Sequence, residues 1–545
     1  MLDLIHNKGE GVQIRIIFTV IFLFLSLVTQ NGLLITGKTQ AHIFPTQRQM
    51  ETIIQPFDVV KPSHYGQDSR TFESSKRVPF SIRYSETFEV GYQRTFWSWD
   101  FTDSIYYLIN ATIFGVGMYC YVFLENSCIS ELEESNVYML AESICSEFDN
   151  IIYPGVTDLA GHPNGTLGDI DGDPRIVILL SRNWTSYYSQ RNEQVLDYSN
   201  ECEMIYIYYQ LSQWLFYLHT TIAHEFHHLI WFNNEFDEPH FTLEGLAEYA
   251  TYHSGYLTSY SNLTSRVADF LPLPEDSLLY FNVYSEEGMP RAIDYGSAYL
   301  FTFYLAEKYG LDTLRKLVKE PADGPKGIEN VLQSSGYNVT FNELYLNWIT
   351  AVTIDKPEVA NNLYGFSQLN AQISGFNIAN EFPIHNKTIL LRYYGFHVLK
   401  LKELPDKFTL QIKKAPLQAI GVSLVIHDSN GWQFYQNLHD ESNEIINSDF
   451  SCDSLDESYF ITSYMLNHTP TDSVDFGIGP LTNITISIIQ TRIATTTNRT
   501  SGYTLFPIQL IIGIFFVKFK KKEEIIWTIS LKKKLRKSNP FLRNK

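Results

Sequence analysis

The chain has 545 residues, of which 44% are hydrophobic, and a formal net charge of −19. This length predicts two or three domains and excludes a single small module, while the composition excludes collagen-like and low-complexity chains. The charge is unevenly distributed: residues 518–545 carry +9, whereas residues 42–517, with 27 basic and 56 acidic residues, carry −29. Because so acidic a body repels phosphate backbones, we expect no nucleic-acid partner.

The amino-terminal end of the sequence predicts export. Residues 16–28 form an apolar run that follows Lys8 and Arg15 and precedes small and polar residues. This order is typical of a secretory signal peptide, which we place at residues 1–41; the alternative is an uncleaved anchor. Residues 42–84 are polar, contain several prolines and show no sustained periodicity, so we interpret them as a linker or pro-segment.

The carboxyl-terminal end predicts attachment to a membrane. Residues 503–517 are uncharged and mostly apolar, and a cluster of lysines follows them. This pattern predicts a transmembrane helix at residues 503–519 and a basic cytoplasmic tail at residues 520–545; the alternative is a buried final strand. The predicted location is therefore the cell surface, with one membrane span and the body outside, and the alternative is a secreted protein.

Two further features concern the compartment of the body. Five cysteines are too few for a disulfide scaffold in a chain of this length, although Cys120 and Cys128 are close enough in sequence to bridge. Nine Asn-x-Thr sequons between the two apolar segments predict a glycoprotein. The sequons begin at Asn110, Asn164, Asn183, Asn262, Asn338, Asn386, Asn467, Asn483 and Asn498.

The body divides into two predicted domains. Residues 85–375 mix strand-like and helical patterns, which predicts an α+β domain, and residues 376–500 contain short strand-like runs, which predicts an all-β sandwich domain. In the first domain the predicted strands are Met118–Leu124, Arg175–Leu180 and 203–211, and the predicted helices are Val137–Phe148, Gln213–Phe232, 243–253, 296–309 and 311–319. In the second domain the predicted strands are Thr388–Arg392, Gly395–Leu401, Phe408–Lys413, Val422–His427 and Thr482–Ile489.

The longest predicted helix contains the motif His224-Glu225-Phe226-His227-His228. Residues four apart on a helix share one face, so His224 and His228 can converge on one metal ion. Glu225, beside the first histidine, can then act as the general base toward a water that a metal such as Zn²⁺ activates. Few chains of this size carry this motif by chance, so we predict a metal-dependent hydrolase site.

A tetrahedral catalytic zinc site needs a third protein ligand. The metzincin pattern requires a glycine at 231 and a histidine or aspartate at 234, where this chain has Trp231 and Asn234. Instead, Thr242 is a candidate N-cap for a second helix that begins near Glu244 and can fold back onto the first. Glu244 is therefore the predicted third ligand; the alternative is an ordinary acid that the helix dipole favours in a first turn.

Glu248 lies one turn beyond Glu244 on the same predicted helix face. Its carboxylate can bind the free ring nitrogen of His224 and fix the tautomer of that histidine. The alternative is a residue of a solvated helix face.

The two motifs together, His224-Glu225-x-x-His228 and Glu244-Gly245-Leu246-Ala247-Glu248-Tyr249, resemble the gluzincin class of zinc metallopeptidases, and within it the hyicolysin-like peptidases. Less specific flanking motifs extend the resemblance over roughly residues 85–370. It implies a zincin-like metallopeptidase fold for residues 85–375, one Zn²⁺ per chain and a polypeptide substrate. It also implies a downstream hydrogen-bond donor for the tetrahedral oxyanion. Tyr295, which precedes a glycine, resembles that donor, and Tyr299 is the competing candidate.

A second acidic group, Asp169, Asp171 and Asp173, precedes a predicted strand. Carboxylate oxygens suit Ca²⁺, although the EF-hand pattern would need a glutamate at position 180, where the chain has Leu180. The three aspartates are candidate calcium ligands, and the alternative is a turn that leads into the strand.

Taken together, these residues predict an extracytoplasmic zinc-dependent endopeptidase. Two alternatives remain: a catalytically inactive cell-surface binding or adhesion protein with a peptidase-like fold, and a zinc hydrolase that acts on a non-peptide bond. The presence of Glu225 argues against the first, because its loss would be the simplest route to inactivity.

Overall fold

The computed structural model describes residues 88–491, except for 133, 164–169, 235–237, 257–263, 282–291, 417, 440–444 and 472–480. The predicted signal peptide, linker or pro-segment, transmembrane helix and basic tail lie outside the described residues. Within the described ranges, no helix combines the length and apolar character needed to cross a membrane.

The first part of the fold is a six-stranded sheet in the order β1-β2-β3-β4-β6-β5. Strands β3, β4 and β6 run parallel to one another, and the remaining neighbours pair antiparallel, so that β5 forms an antiparallel edge. The strands are β1 Gln93–Asp100, β2 Ile105–Val116, β3 Cys120–Glu125, β4 Ile176–Ser181, β5 Tyr187–Tyr188 and β6 Met204–Tyr208.

Both faces of this sheet are buried. Along β3, Val122 and Leu124 point into one core and Tyr121 and Phe123 into another, as alternate residues of a strand must. Helices cover the first face, and aromatic side chains of the β1 and β2 region cover the second. Burial on both faces explains why the central strands appear in the sequence as continuous apolar runs.

Ten helices accompany the sheets in the described residues. They are α1 Asn126–Leu132, α2 Glu134–Glu147, α3 Tyr153–Ala160, α4 Leu215–Phe232, α5 His240–His253, α6 Thr264–Phe270, α7 Ala292–Tyr309, α8 Leu311–Leu317, α9 Gly324–Ser334 and α10 Phe341–Ile354. A π-helical turn, Phe148–Ile152, links α2 to α3. The long helix α4 is buried along almost its whole length, as its largely apolar circumference requires.

The helix that follows α4 begins earlier than predicted. Pro239 is the N-cap residue of α5, so the predicted cap at Thr242 is wrong. The carbonyl oxygen of Pro239 accepts hydrogen bonds from the N–H groups of Thr242 (3.0 Å) and Leu243 (3.1 Å). Thr242 therefore lies inside the first turn, and its buried hydroxyl has no hydrogen-bond partner among the described residues.

Two further sheets follow α10 in the described residues. One has the order β12-β11-β14-β9-β7 and the other the order β13-β10-β15-β8, and apolar side chains from both fill one shared core. The strands are β7 Asn377–Ala379, β8 Ile384–Leu391, β9 Phe396–Leu401, β10 Lys407–Lys413, β11 Ala419–Asp428, β12 Gly431–His439, β13 Ile445–Ser451, β14 Glu457–Met465 and β15 Thr482–Gln490. The structure thus confirms a mixed α and β fold with several sheets.

Helix α10 joins the helical region to the five-stranded sheet. The hydroxyl of Tyr345 donates a hydrogen bond to the carbonyl oxygen of Tyr394 (2.8 Å), and the hydroxyl oxygens of Thr350 and Ser423 lie 2.9 Å apart. Residues of α10 and of this sheet belong to the same hydrophobic core as α4. The helical region and the five-stranded sheet therefore share one continuous hydrophobic core.

All five cysteines are buried and none forms a disulfide. The thiol of Cys120 contacts Cys145 on α2, and this hydrogen bond together with burial holds the pKa of Cys120 well above its ordinary value. The neighbour of Cys120 is thus Cys145, and Cys120 and Cys128, which are close enough in sequence to bridge, form no disulfide.

Candidate metal centre

Helix α4 places the two motif histidines side by side. His224 and His228 are 2% and 1% exposed, and they lie one turn apart on one face of the helix. Their Nε2 atoms are 3.0 Å apart. Since two imidazoles approach this closely through the same ring position, a positive ion between them would stabilise the arrangement.

Helix α5 packs against α4 and brings Glu244 to the same point. Oε2 of Glu244 lies 3.1 Å from Nε2 of His224 and 3.4 Å from Nε2 of His228. The residue after Glu244 is a glycine for a steric reason: a β-carbon at Gly245 would collide with the Thr302 hydroxyl and lie 2.7 Å from the carbonyl oxygen of Ala298, both on α7. The absent side chain lets α7 pack directly on the ligand-bearing turn of α5.

The three predicted ligands could hold a metal ion. One ligand atom from each of His224, His228 and Glu244 lies within 4.8 Å of the others. Ligands about 2.0–2.1 Å from a tetrahedral zinc ion would be separated by about 3.3 Å, and the three separations here are 3.0 to 3.4 Å. The residues present therefore fit a zinc ion in spacing and in donor type.

The protonation states favoured at the site also suit a metal. Burial raises the pKa of Glu244, but His228 and His224 outweigh this effect, so its pKa lies below the ordinary value. Burial lowers the pKa of His228, in spite of the opposing influence of Glu244. An ionised carboxylate and a neutral imidazole are the forms that bind metal ions.

Glu225 lies beside the first ligand and is fully buried. Neither of its carboxylate oxygens accepts an aligned hydrogen bond from a described residue, although the backbone of Tyr188 lies nearby. Burial raises the pKa of Glu225 to about 8, with a smaller opposing effect from His224. A buried carboxyl group with spare hydrogen-bonding capacity is suited to take up and release a proton.

The carboxylate of Glu248 lies close to the ring of His224. Its Oε1 lies 3.4 Å from Nδ1 of His224, the ring nitrogen that faces away from Glu244. The same oxygen forms an ion pair with the guanidinium of Arg266 on α6. Glu248 is therefore a buried bridge between His224 and Arg266 and does not lie on a solvated helix face.

The two candidate tyrosines of α7 have different surroundings. Tyr295 is 1% exposed, and the guanidinium of Arg266 lies 4.3 Å from the centre of its ring. Tyr299 is near Tyr252 and Tyr249, and burial, followed by those neighbours, holds its pKa well above the ordinary value. Tyr295 thus contacts Arg266, which also pairs with Glu248. Tyr299 instead lies in a cluster of tyrosines.

The predicted calcium ligands are engaged with the protein where they are described. Asp169 lies outside the described residues. Oδ1 of Asp171 accepts a hydrogen bond from the backbone of Asp173 (2.9 Å), while Asp173 accepts one from the Tyr121 hydroxyl (2.6 Å) and pairs with Arg175 (3.2 Å). These contacts match the turn interpretation.

The neighbouring histidine of the motif, His227, points away from the ligands. It is fully buried, its ring centre lies 5.9 Å from that of Trp231, and neither ring nitrogen has a hydrogen-bond partner among the described residues. Burial holds its pKa well below the ordinary value. His227 is thus a neutral core residue, as its position off the ligand face predicts.

Arg266 is the residue of this site that the sequence did not reveal. It lies in a seven-residue helix 22 positions after Glu244, with no motif around it. Its contact with Glu248 of α5 depends on how both α5 and α6 pack against α7. An arginine in a short helical stretch carries no local signal of such a contact.

No protein-family model matches the chain, and no curated protein matches it. Among solved structures, aminopeptidase A from Legionella pneumophila is similar over 67% of this chain and 36% of that chain, at 11% identity and a TM-score of 0.29. The pre-peptidase C-terminal domain of a collagenase from Bacillus anthracis is similar over 21% of this chain and 92% of that chain, at 13% identity and a TM-score of 0.13. A 4-O-methyl-alpha-glucuronidase with specificity for decorated arabinogalactans is similar over 54% of this chain and 47% of that chain, at 8% identity and a TM-score of 0.14. This chain therefore spans about a third of the aminopeptidase and about half of the glucuronidase, and TM-scores this low assign neither a fold nor an activity to it.

Proposed function

We propose that the protein is a zinc-dependent endopeptidase of the gluzincin type, with a zincin-like catalytic domain at residues 85–375 and a β-sandwich domain at residues 376–500. One observation carries this proposal. Three buried ligand atoms from His224, His228 and Glu244 meet at zinc-compatible spacing, and the adjacent Glu225 has a fully buried carboxyl group that is under the electrostatic influence of His224 and Glu244.

In the proposed reaction, His224, His228 and Glu244 would hold a zinc ion, which would supply Lewis acidity toward a water molecule and a peptide carbonyl. Glu225 accepts a proton from the attacking water on its free carboxylate oxygen and returns it to the leaving nitrogen. A divalent cation nearby favours the ionised form of this group, which a base requires.

The surrounding residues have supporting roles in this proposal. The Glu248 carboxylate, 3.4 Å from Nδ1 of His224, would accept a hydrogen bond from the Nδ1–H group and so present Nε2 of that histidine toward the ligand position. Tyr295 donates its hydroxyl proton in a hydrogen bond to the oxygen that becomes negative when the carbonyl is attacked.

The proposed substrate is a polypeptide, and the proposed location is the cell surface, with the membrane bound through residues 503–519. The sequence features at the two ends of the chain support this location, and the acidic body supports the expectation of no nucleic-acid partner.

The test is the zinc content of the full chain purified in detergent, together with its cleavage of an unfolded polypeptide. We expect stoichiometric zinc, and we expect Glu225→Gln to retain zinc while losing cleavage by a factor of about 10² to 10⁴. Glu142→Gln, an exposed glutamate of α2, is the matched control and should behave as the wild type. Equal cleavage by the wild type and Glu225→Gln would overturn the proposal.

A further inference from the structure

Arg266 places a positive charge beside Glu248, on the side of His224 that faces away from the other two proposed ligands. Its guanidinium pairs with Oε1 of Glu248, the oxygen that also approaches Nδ1 of His224. The side chains of Arg266 and Glu248 are only 17% and 10% exposed, so solvent screens this pair weakly. Breaking a pair that is this buried leaves one charge without compensation, and such losses are costly.

The electrostatic surroundings of Arg266 are acidic. Burial is the largest influence on Arg266 and lowers its pKa below the ordinary value, while Tyr295, Glu244 and Glu225 act in the opposite direction. A guanidinium remains protonated in such a place because its intrinsic pKa is so high. Arg266 therefore supplies a permanent counter-charge to carboxylates that a metal ion alone would otherwise have to balance.

The backbone around Arg266 is fixed to α7. A β-carbon at Gly296 would collide with the carbonyl oxygen of Arg266, so the glycine lets α6 and α7 touch at this point. The residue just before that glycine is Tyr295, whose ring centre lies 4.3 Å from the guanidinium. This cation–π contact places the aromatic ring and the ion pair in one rigid unit.

We propose that Arg266 is a positioning residue that acts through Glu248. It holds the Glu248 carboxylate against Nδ1 of His224, and through this contact it increases the affinity of the His224, His228 and Glu244 triad for its metal ion. The planar guanidinium keeps Tyr295 packed at the same place. This inference rests on the proposed zinc site, and it concerns how the chain itself prepares that site.

The test measures zinc affinity by competition with a chelator, using the full chain stripped of metal. We expect Arg266→Met to weaken zinc binding by about 10- to 100-fold, the usual effect of removing a residue that supports a metal ligand. Arg266→Lys keeps the charge but not the planar fork, and should recover part of the lost affinity. Arg315→Met is the matched control, because Arg315 pairs with the exposed Asp158 and Asp312, and should bind zinc as the wild type does.

A double-mutant cycle separates positioning from a general structural role. If Arg266 acts through Glu248, then Arg266→Met should change zinc affinity by less than about twofold in the Glu248→Gln background. Equal losses in both backgrounds, or a lower melting temperature of the metal-free protein with unchanged zinc affinity, would overturn the inference. A wild type without zinc affinity would overturn the proposed function as well, whereas a zinc-binding wild type that is indifferent to Arg266 would overturn only the inference.

Discussion

Two acidic groups of this chain, the glutamates around His224 and the aspartates of the turn before β4, differ in what their oxygens contact. Glu244 faces the Nε2 atoms of two histidines, and Glu248 faces Nδ1 of one of them. Asp171 and Asp173 instead face backbone N–H groups of their own turn, a tyrosine hydroxyl and an arginine.

The difference follows from the backbone that carries the side chains. In the interior of a helix, the N–H groups are already bonded within the helix, so the carboxylates of α5 are free to meet other groups. In a turn, the N–H groups lack such partners, and nearby aspartates accept hydrogen bonds from them. A run of acidic residues therefore indicates a metal site only where the carboxylates do not already accept hydrogen bonds from nearby backbone N–H groups.

The strongest way to break this comparison is to remove one carboxylate from each group. Glu244→Gln should abolish stoichiometric zinc binding, because it replaces the anionic carboxylate of the triad by a neutral amide, a much weaker zinc ligand. Asp171→Asn should leave zinc content unchanged, because Oδ1 of Asp171 accepts a hydrogen bond from the backbone of the turn and is not among the triad atoms. Metal analysis of the two purified variants is the measurement, and equal zinc contents would contradict the assignment of Glu244.

Substitution of Tyr295 tests whether the residues around the proposed metal include a hydrogen-bond donor to the oxyanion. Tyr295→Phe removes only the hydroxyl and should lower kcat by a factor of about 10² to 10³, with zinc content unchanged. Tyr299→Phe is the matched control on the same helix and should keep nearly full activity, because its hydroxyl belongs to the tyrosine cluster. Steady-state kinetics on one peptide substrate would show the contrast, and a larger loss for Tyr299→Phe would reverse the two roles.

Substitution of Asp173 tests whether the aspartates before β4 stabilise the turn and do not bind a metal ion. Asp173→Asn weakens the contacts with Tyr121 and Arg175 in a buried site, and should lower the free energy of unfolding by about 1–3 kcal/mol. Denaturant unfolding of the two forms measures this loss. If the aspartates bound calcium, added calcium would raise the melting temperature of the wild type much more than that of the variant; we expect equal melting temperatures with and without calcium.

Glu193 sharpens the comparison with a third kind of acidic residue, one that is buried with another carboxylate as a neighbour. Burial, reinforced by Glu203, raises the pKa of Glu193 to about 8 in the folded protein. Between pH 4.5 and 8 the folded state therefore keeps a proton that the unfolded state releases, so stability falls as pH rises.

Glu193→Gln should remove this dependence. The stability of the variant relative to the wild type should increase with pH across that window, by up to about 1.4 kcal/mol per pH unit. Glutamine retains an acceptor for the Tyr188 hydroxyl, which donates to Glu193 (2.7 Å). Unfolding curves at pH 5, 6, 7 and 8 provide the measurement, and a difference that stays constant with pH would exclude a raised pKa at this site.

Sequence patterns predicted those parts of the site that depend on local geometry. The helix spacing of His224 and His228 requires only that the segment be helical, and Glu244 required only that a second helix follow. The contact of Arg266 with Glu248 could not be predicted, because it depends on the packing of both α5 and α6 against α7, the latter at Gly296. The start of α5 was also predicted incorrectly: its N-cap residue is Pro239, not Thr242.

The same distinction applies to the fold. The strands β3 and β4 and the helix α4 were predicted near their observed positions, because long apolar runs and a helical period are local signals. The predicted strand at 203–211 ends at Tyr208, where the chain turns into a 3-10 helix at Tyr209–Gln213. The order of the strands in the three sheets depends on contacts distant in sequence, which no periodicity encodes.

X-ray absorption at the zinc edge of the purified full chain tests most directly whether the two helices build a metal site. The proposed ligand set predicts two imidazole nitrogens and carboxylate or water oxygens at about 2.0–2.2 Å, without sulfur, and a loss of this spectrum in Glu244→Gln. A spectrum with sulfur ligands near 2.3 Å, or one that Glu244→Gln leaves unchanged, would contradict the assignment of the metal to His224, His228 and Glu244.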